Sequence, residues 1–351
     1  MPLEGVEQKY HLYSEDATDA LNLTPEHKAQ YINATLCLIN APSKINVSVA
    51  ETRWDDLQYT HAYQMPFIHG VGQFLPWHRY FVKVHERLLI DECGYNGPMP
   101  YWNESSDSAN ISEATVWDAA TGFGGNGTGT DNCVSDGPFS NMTLRINNDL
   151  SSSPYCLARN FNPCLFRNAA QANDQACLAK KTFEEARICF EGLPHASGHG
   201  GIGGTMLNVE LSPGDPIFWL HHTYLDKLWW EWQSLNLSAR LTDMSGINAP
   251  IPSLSFFSAL GALDGPPANA TGYANQTSEA SCFVEFPFPA SNSSIQPMLI
   301  PTTNPSLTDY FNDNGDQTTL NHTLFSFGLA PNVTIADIMD MREGFACSEF
   351  V

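Results

Sequence analysis

Between Trp77 and Cys93 the apolar positions 77, 81, 84, 88 and 89 recur at three- and four-residue steps, the stripe of a helix that buries one face. A second strongly periodic stretch runs from Leu220 to Leu235. Thr24 to Leu38 predicts an earlier helix, with Pro25 where a first helical position tolerates proline. Thr52–Met65 predicts another helix, and Pro194 to His199 opens one more. Residues 66–76 contain Pro66, Gly70, Gly72 and Pro76 and read as a loop. From Gly94 to Pro154 the chain is rich in Gly, Asn, Asp and Ser, which predicts long irregular surface structure. Beyond Asn248 the composition turns to Pro, Gly, Asn and Ser with short β-like runs, and no internal repeat is present.

Six histidines fall on these elements in two groups. His61 lies on the second predicted helix, His69 on the loop, and His78 at the start of the Trp77–Cys93 helix. His195 and His199 are four apart, so about 400° of helical rotation brings both rings to one face. His222 lies in the Leu220–Leu235 helix next to His221; adjacent helical residues point about 100° apart, so the two cannot easily face one ion. The zinc-protease pattern H-E-x-x-H fails here, because Ala196 stands where the general-base glutamate would be. Imidazole suits copper, zinc, iron and nickel alike. Six imidazoles with no carboxylate placed to bridge favour a redox metal over a hydrolytic pair.

The runs FLPWHR (Phe74–Arg79) and DPIFWLHHTYLDKLWWEWQ (Asp215–Gln233) each carry one of these groups. In this order and spacing the chain resembles the short fungal tyrosinases and catechol oxidases, the type-3 copper polyphenol oxidases, from Arg53 to Gln233. The resemblance implies a mainly α fold: a four-helix-bundle core holding a dicopper site, with long irregular loops and a few short strands. Metal sites built from inward side chains of a bundle are a known solution. It implies His61, His69 and His78 as ligands of one copper and His195, His199 and His222 of the other, with O2 as co-substrate and small phenols as substrates. His221 would then lie beside the site, hydrogen-bonded so as to orient the ligands.

The resemblance also places Glu191 where the family holds a water near copper; as a bare residue it reads equally as an acid favoured by a helix N-terminus. Ala196 stands where strong phenol hydroxylases often carry an asparagine. Gly200, Gly201, Gly203 and Gly204 suggest a wide, low entrance. Leu207 aligns with a position that controls access, and Phe218 joins Ala196, Gly200 and Leu207 as an access residue. Many fungal members cross-link a cysteine to the second histidine of the first triad; Phe67 occupies that cysteine's place, so no thioether is expected. Asp226, four after His222, is a candidate orienting carboxylate or helix-packing group. His85 reads as a packed or hydrogen-bonded core histidine, and His11, His27 and His322 as surface residues.

Composition narrows the setting. Both histidine groups must meet although they lie far apart, so 1–351 reads as a single catalytic domain with its copper-binding core at about 53–235 and no separate C-terminal lid. Apolar residues make up 42% of the 351, enough for a sizeable core. A formal net charge of −22 with 16 Lys+Arg excludes a nucleic-acid footprint and argues against an anionic membrane surface. Met1–Tyr10 has neither the basic nor the apolar region of a signal peptide. N-x-S/T acceptors at Asn22, Asn33, Asn46, Asn103, Asn110, Asn126, Asn141, Asn236, Asn269, Asn275, Asn292, Asn321 and Asn332 nonetheless predict an exported protein with N-linked glycans. The 9 cysteines lack zinc-ribbon spacing and predict several disulfides plus one leftover thiol. The expected activity is oxidation of o-diphenols to o-quinones with weak or selective monophenol hydroxylation. A full tyrosinase and a hemocyanin-like O2 carrier are the alternatives.

Overall fold

The computed structural model describes residues 16–248 and 311–350. His11, Cys282, the sequons at Asn269, Asn275 and Asn292 and most of the Pro/Gly-rich stretch beyond Asn248 lie outside the described residues.

Helix α1 (Pro25–Asn40) starts where the Thr24 hydroxyl accepts the His27 N–H, with Pro25 in the first turn. Helix α2 (Arg53–Gln64) starts with a capping box: the Thr52 side chain accepts from Asp55 N–H while the Asp55 carboxylate accepts from Thr52 N–H. A short 3-10 turn, Met65–Phe67, leads into the loop that carries His69. Helix α3 (Phe74–Cys93) begins one turn earlier than the apolar stripe implied and ends at Gly94, whose φ of 67° supplies the left-handed C-cap. The irregular stretch that follows contains α4 (Glu104–Asp107), the hairpin β3 (Thr143–Ile146) and β4 (Ser152–Cys156), and α5 (Pro163–Phe166). Then come α6 (Gln171–Leu178), α7 (Phe183–Phe190), α8 (Ala196–Ile202), α9 (Gly204–Leu207), α10 (Ile217–Ser234) and α11 (Leu237–Arg240).

Four units make the bundle core: α2, α3, α10 and the run α7–α8. That run differs from the expected isolated helix at Pro194. Residues Glu191–His195 form a π-helical turn between α7 and α8, so Pro194 sits inside a continuous helical path. Proline has no N–H to donate, and a locally widened turn accommodates the missing hydrogen bond. The Ser197 hydroxyl donates to the carbonyls of Leu193 and Pro194.

Helices α3 and α10 pack along their apolar faces. Phe81 of α3, with Trp77 packed on it from the same helix, meets Phe218 and Trp219 of α10. His85 is fully buried and stacks on Trp219, with centroids 4.0 Å apart and planes 11° apart, and neither ring nitrogen has a hydrogen-bond partner. It is therefore a packed core histidine. A parallel sheet of order β2 (Pro100–Tyr101), β1 (Asp16–Asp19), β7 (Glu349–Phe350) ties the two ends of the described chain together. A second small hairpin, β5 (Thr323–Leu324) with β6 (Val333–Thr334), lies in the C-terminal segment. That segment crosses α3 and α10: Arg79 donates to the Ile338 carbonyl, Lys83 to Cys347, and Gln233 to Met339. No helix among the described residues is long and apolar enough to cross a membrane.

Disulfides Cys37–Cys93, Cys133–Cys156 and Cys177–Cys189 form, Cys164 is also disulfide-bonded, and Cys347 is free, as the cysteine arithmetic predicted. Cys37–Cys93 ties α1 to the end of α3 across a sequence separation of 56. Closing a loop of that length restricts the unfolded chain by about 4 kcal/mol on the chain-entropy model. The double variant Cys37→Ser/Cys93→Ser should therefore lose roughly 2–4 kcal/mol in a denaturant titration, with its m-value raised as the unfolded chain expands.

Candidate metal centre

The six predicted histidines converge. Nitrogen atoms of His61, His69 and His78 lie within 4.8 Å of one another, and those of His195, His199, His221 and His222 form a second such group. All seven rings are buried. The groups face each other: His78 stacks on His222 with centroids 4.3 Å apart and planes 10° apart, and His69 lies 5.9 Å from His195.

Backbone carbonyls orient five of the rings. Nδ1–H donates from His61 to Glu210 (3.1 Å), from His69 to Met65 (3.2 Å), from His78 to Phe74 (2.8 Å), from His195 to Glu191 (3.3 Å) and from His199 to Met206 (2.7 Å). A proton placed on Nδ1 leaves the lone pair on Nε2. The Nε2 atoms of His61, His78, His195 and His199, and both nitrogens of His222, have no hydrogen-bond partner. Burying such acceptors unpaired is costly, and this many in one place calls for a ligand. Burial is the first cause of the depressed basicity throughout. It lowers His69 and His199 to about 3 and takes His61, His78, His195 and His222 well below the ordinary histidine value, with neighbouring imidazoles adding to the effect. The rings are thus held neutral, the form that binds a metal.

His221 and His222 divide as the helix geometry requires. His222 faces the first group. Among the described residues His221 meets the rings of His195, His199 and His222, and its Nδ1 lies 2.5 Å from the Glu104 carboxylate. Both partners are fully buried. Burial raises Glu104 well above the usual carboxylate range and lowers His221 to about 3, which favours a neutral pair sharing the carboxyl proton. Gly198 of α8 lies against this pair: a Cβ there would fall 2.3 Å from His221 Cε1 and 3.0 Å from Glu104 Oε1. The glycine run therefore serves close packing as well as any entrance, since a Cβ at Gly201 would strike Phe166 at 2.6 Å.

Glu191 is fully buried, and each of its oxygens has a protein donor: Gly70 N–H at 2.7 Å and Arg187 Nη1 at 2.9 Å. Burial pushes its carboxyl up to about 7 against the opposing Arg187 charge. Asp226 does not approach the ligand rings; it pairs with Arg79 at 2.5 Å between α10 and α3, beneath the Arg79–Trp229 cation–π contact. Of the access residues, Leu207 is 36% exposed, Ala196 is half-buried and Gly200 is buried. Phe218 is fully buried and packs on the rings of His61, His78, His199 and His222, inside the cage. His27 is half-exposed. His322, expected at the surface, is instead buried and pairs with Asp313 at 2.5 Å, stacked on Phe311.

Sequence reasoning missed Glu104, Arg187 and Arg159. Arg159 is fully buried and grips Asp215 with two hydrogen bonds of 2.8 Å just before α10, fixing where that helix begins. Arg187 carried a readable signal, four residues before Glu191 on one helical face. Glu104 carried none, being 117 residues from its partner.

Among described residues the two nitrogen clusters contain imidazoles alone. The donor set and the unpartnered nitrogens fit soft-to-borderline ions such as copper, one at each cluster. Known proteins point the same way. The sequence signature described as the common central domain of tyrosinase matches residues 51–235. The chain is 34% identical over 248 residues to the tyrosinase-like protein phomQ1 of Diaporthe leptostromiformis, an alignment covering 64% of this chain and 63% of that protein. It is 29% identical over 272 residues to the N-acetyl-6-hydroxytryptophan oxidase ivoB of Emericella nidulans, covering 60% of this chain and 73% of that one. The chain thus spans less than two thirds of the length of the tyrosinase-like relatives it matches first. Its fold matches a mutant polyphenol oxidase from Thermothelomyces thermophila with a TM-score of 0.72 at 23% identity, over 96% of this chain and 89% of that one. With the signature spanning more than half of its length, and the helical core and paired histidine clusters to match, the chain belongs to the tyrosinase family, the type-3 copper polyphenol oxidases.

Proposed function

We propose that the chain is a dicopper oxidase that converts o-diphenols to o-quinones while reducing O2 to water, with monophenol hydroxylation much the weaker activity. The observation that carries this reading is the face-to-face pair of buried all-imidazole clusters, with the Nε2 atoms of His61, His78, His195, His199 and His222 left without a hydrogen-bond partner. His61, His69 and His78 would hold one copper and His195, His199 and His222 the other. When bound, the pair supplies a two-electron change, which matches both the oxidation of a catechol and half the reduction of O2.

The protein's own part is geometry and access. Backbone carbonyls fix five ring tautomers, and the His221–Glu104 pair holds the α10 face that presents His222. Leu207, exposed and next to the Met206 carbonyl that orients His199, would meet a substrate ring, with Ala196 and Gly200 beside the second triad and Phe218 shaping the cage from within. The family relative that oxidises N-acetyl-6-hydroxytryptophan supports a substrate range beyond simple catechols. Chain 1–351 acting as one catalytic domain, exported and carrying N-linked glycans, belongs to the same proposal. It is supported by the disulfides and by the exposure of most sequon asparagines among the described residues, Asn22, Asn33 and Asn332 included.

The preference for diphenols rests on proton removal. A monophenol has a pKa of about 10 and must lose its proton before it can bind a metal, so a positioned base matters at neutral pH. Glu191 already accepts from Gly70 and Arg187, and Ala196 offers no amide to orient a water beside it. Copper-loaded protein should oxidise catechol far faster than it hydroxylates tyrosine. Ala196→Asn should raise the hydroxylation-to-oxidation ratio by about 10-fold, part of the roughly 10²–10⁴ that a positioned base contributes. Equal wild-type rates on the two substrates would make it a full tyrosinase, an unchanged ratio in Ala196→Asn would remove the water argument, and O2 binding without catechol oxidation would make it a carrier.

A further inference from the structure

In a two-metal site with a bridging carboxylate, the shared ligand fixes the metal spacing. Here every ligand nitrogen belongs to one imidazole of one cluster, so the separation of the clusters must come from the protein frame. Among the described residues three connections span the two clusters, each running from a histidine of the first triad, or its neighbour, to one of the second.

Glu191 is the first. Its Oε1 accepts the N–H of Gly70, the residue after His69, at 2.7 Å, while its own carbonyl accepts His195 Nδ1–H at 3.3 Å. Arg187 holds its other oxygen at 2.9 Å. The second is the segment Met206–Glu210. The Met206 carbonyl accepts from His199 at 2.7 Å and the Glu210 carbonyl from His61 at 3.1 Å. From outside, Asn148 in the β3–β4 turn exchanges hydrogen bonds with Asn208 at 2.9 and 3.1 Å and donates to the Glu210 carboxylate. The third is Arg79–Asp226 at 2.5 Å, linking α3 just after His78 to α10 one turn after His222, alongside the His78–His222 ring stack.

We propose that these three cross-braces, Glu191 between His69 and His195, Met206–Glu210 between His61 and His199, and Arg79–Asp226 between His78 and His222, set the separation of the two triads. Glu191 and Asn148 are then positioning residues: Glu191 acts through Gly70 and His195, and Asn148 through the carbonyls that orient His61 and His199. The inference rests on the dicopper reading of the site.

The test reads the spin state of bound copper. Two Cu(II) ions held close together couple and give no EPR signal, whereas ions whose spacing or orientation has relaxed become visible. Oxidised wild type, Glu191→Ala, Glu191→Gln and Asn148→Ala are compared for copper per chain and for the EPR-visible fraction of the copper bound. Wild type should hold two coppers, nearly all silent. Glu191→Ala should raise the visible fraction several-fold. Glu191→Gln, whose amide oxygen can still accept from Gly70, should restore most of the silence. Asn148→Ala, a change at an exposed turn that leaves the core intact, should move the fraction in the same direction by less; it decides the matter should Glu191→Ala fail to fold. Bound copper as silent in both alanine variants as in wild type overturns the proposal, as does a Glu191→Gln protein no different from Glu191→Ala. A wild type that binds no copper pair would instead overturn the proposed function.

Discussion

His222→Ala should hold about one copper per chain instead of two and lose catechol oxidation by more than the roughly 10–100-fold that removing an outer partner of a metal ligand costs. His78→Ala should do the same from the other side. The reason is geometric. Each triad offers three imidazoles, and the neighbouring backbone is already committed to holding the remaining rings in place, so no spare donor can rotate in. The Nε2 of His221 is also unpartnered, but its Nδ1 is anchored to the buried Glu104, and among the described residues its ring meets those of His195, His199 and His222 and none of the first triad, so it is not free to swing into the place His222 leaves. His85→Phe is the contrasting variant. His85 makes no hydrogen bond and contributes its ring to the Trp219 stack, so a flat apolar ring of similar size should keep copper near two and activity near wild type. Copper loss in His85→Phe would mean that the six-ligand assignment is wrong.

Gly198→Ala should be nearly as damaging as loss of a ligand, although Gly198 carries no chemistry. The added methyl would lie 2.3 Å from His221 Cε1 and 2.4 Å from its Nδ1. The ring cannot swing aside, because both it and Glu104 are fully buried and hydrogen-bonded to each other. Relief must come from separating α8, which carries His199, from α10, which carries His222. Overpacking of this kind costs about 1–3 kcal/mol in stability, and the expected signature is selective loss of copper from the second triad while the first stays loaded. A Gly198→Ala protein with unchanged melting temperature and two coppers would show that α8 and α10 can move apart without disturbing the ligands. Glu104→Gln probes the same contact more gently and should weaken second-site affinity by roughly 10–100-fold.

Much of this arrangement was readable in the chain because it is local. The stripe at 77, 81, 84, 88 and 89 and the Leu220–Leu235 period announced α3 and α10, and the four-residue step from His195 to His199 placed two candidate ligands on one face. The adjacent pair His221–His222 announced that one would turn away, though not which; the family resemblance and then the ring geometry favour His222 as the inward one. What stayed hidden is non-local. Glu104 sits in a Ser- and Asp-rich stretch that reads as surface, and nothing near it in sequence marks it as the partner of His221. The braces share that property: Gly70 and Glu191 are 121 residues apart, and Arg79 and Asp226 are 147 apart. His322 read as a surface residue because its partner Asp313 and the Phe311 ring give no periodic signal. The π-helical turn was hidden for a different reason. A proline before a helical pattern is normally a start signal, whereas here α7 runs on into α8 through a widened turn that accommodates Pro194.

Whether two three-histidine sites each hold a copper ion is read by metal analysis of the protein as it is purified after growth with copper, with zinc and iron measured alongside. Two coppers per chain are expected, falling to about one in His78→Ala and in His222→Ala. One zinc per chain and no copper, or two coppers that persist in both alanine variants, would contradict it.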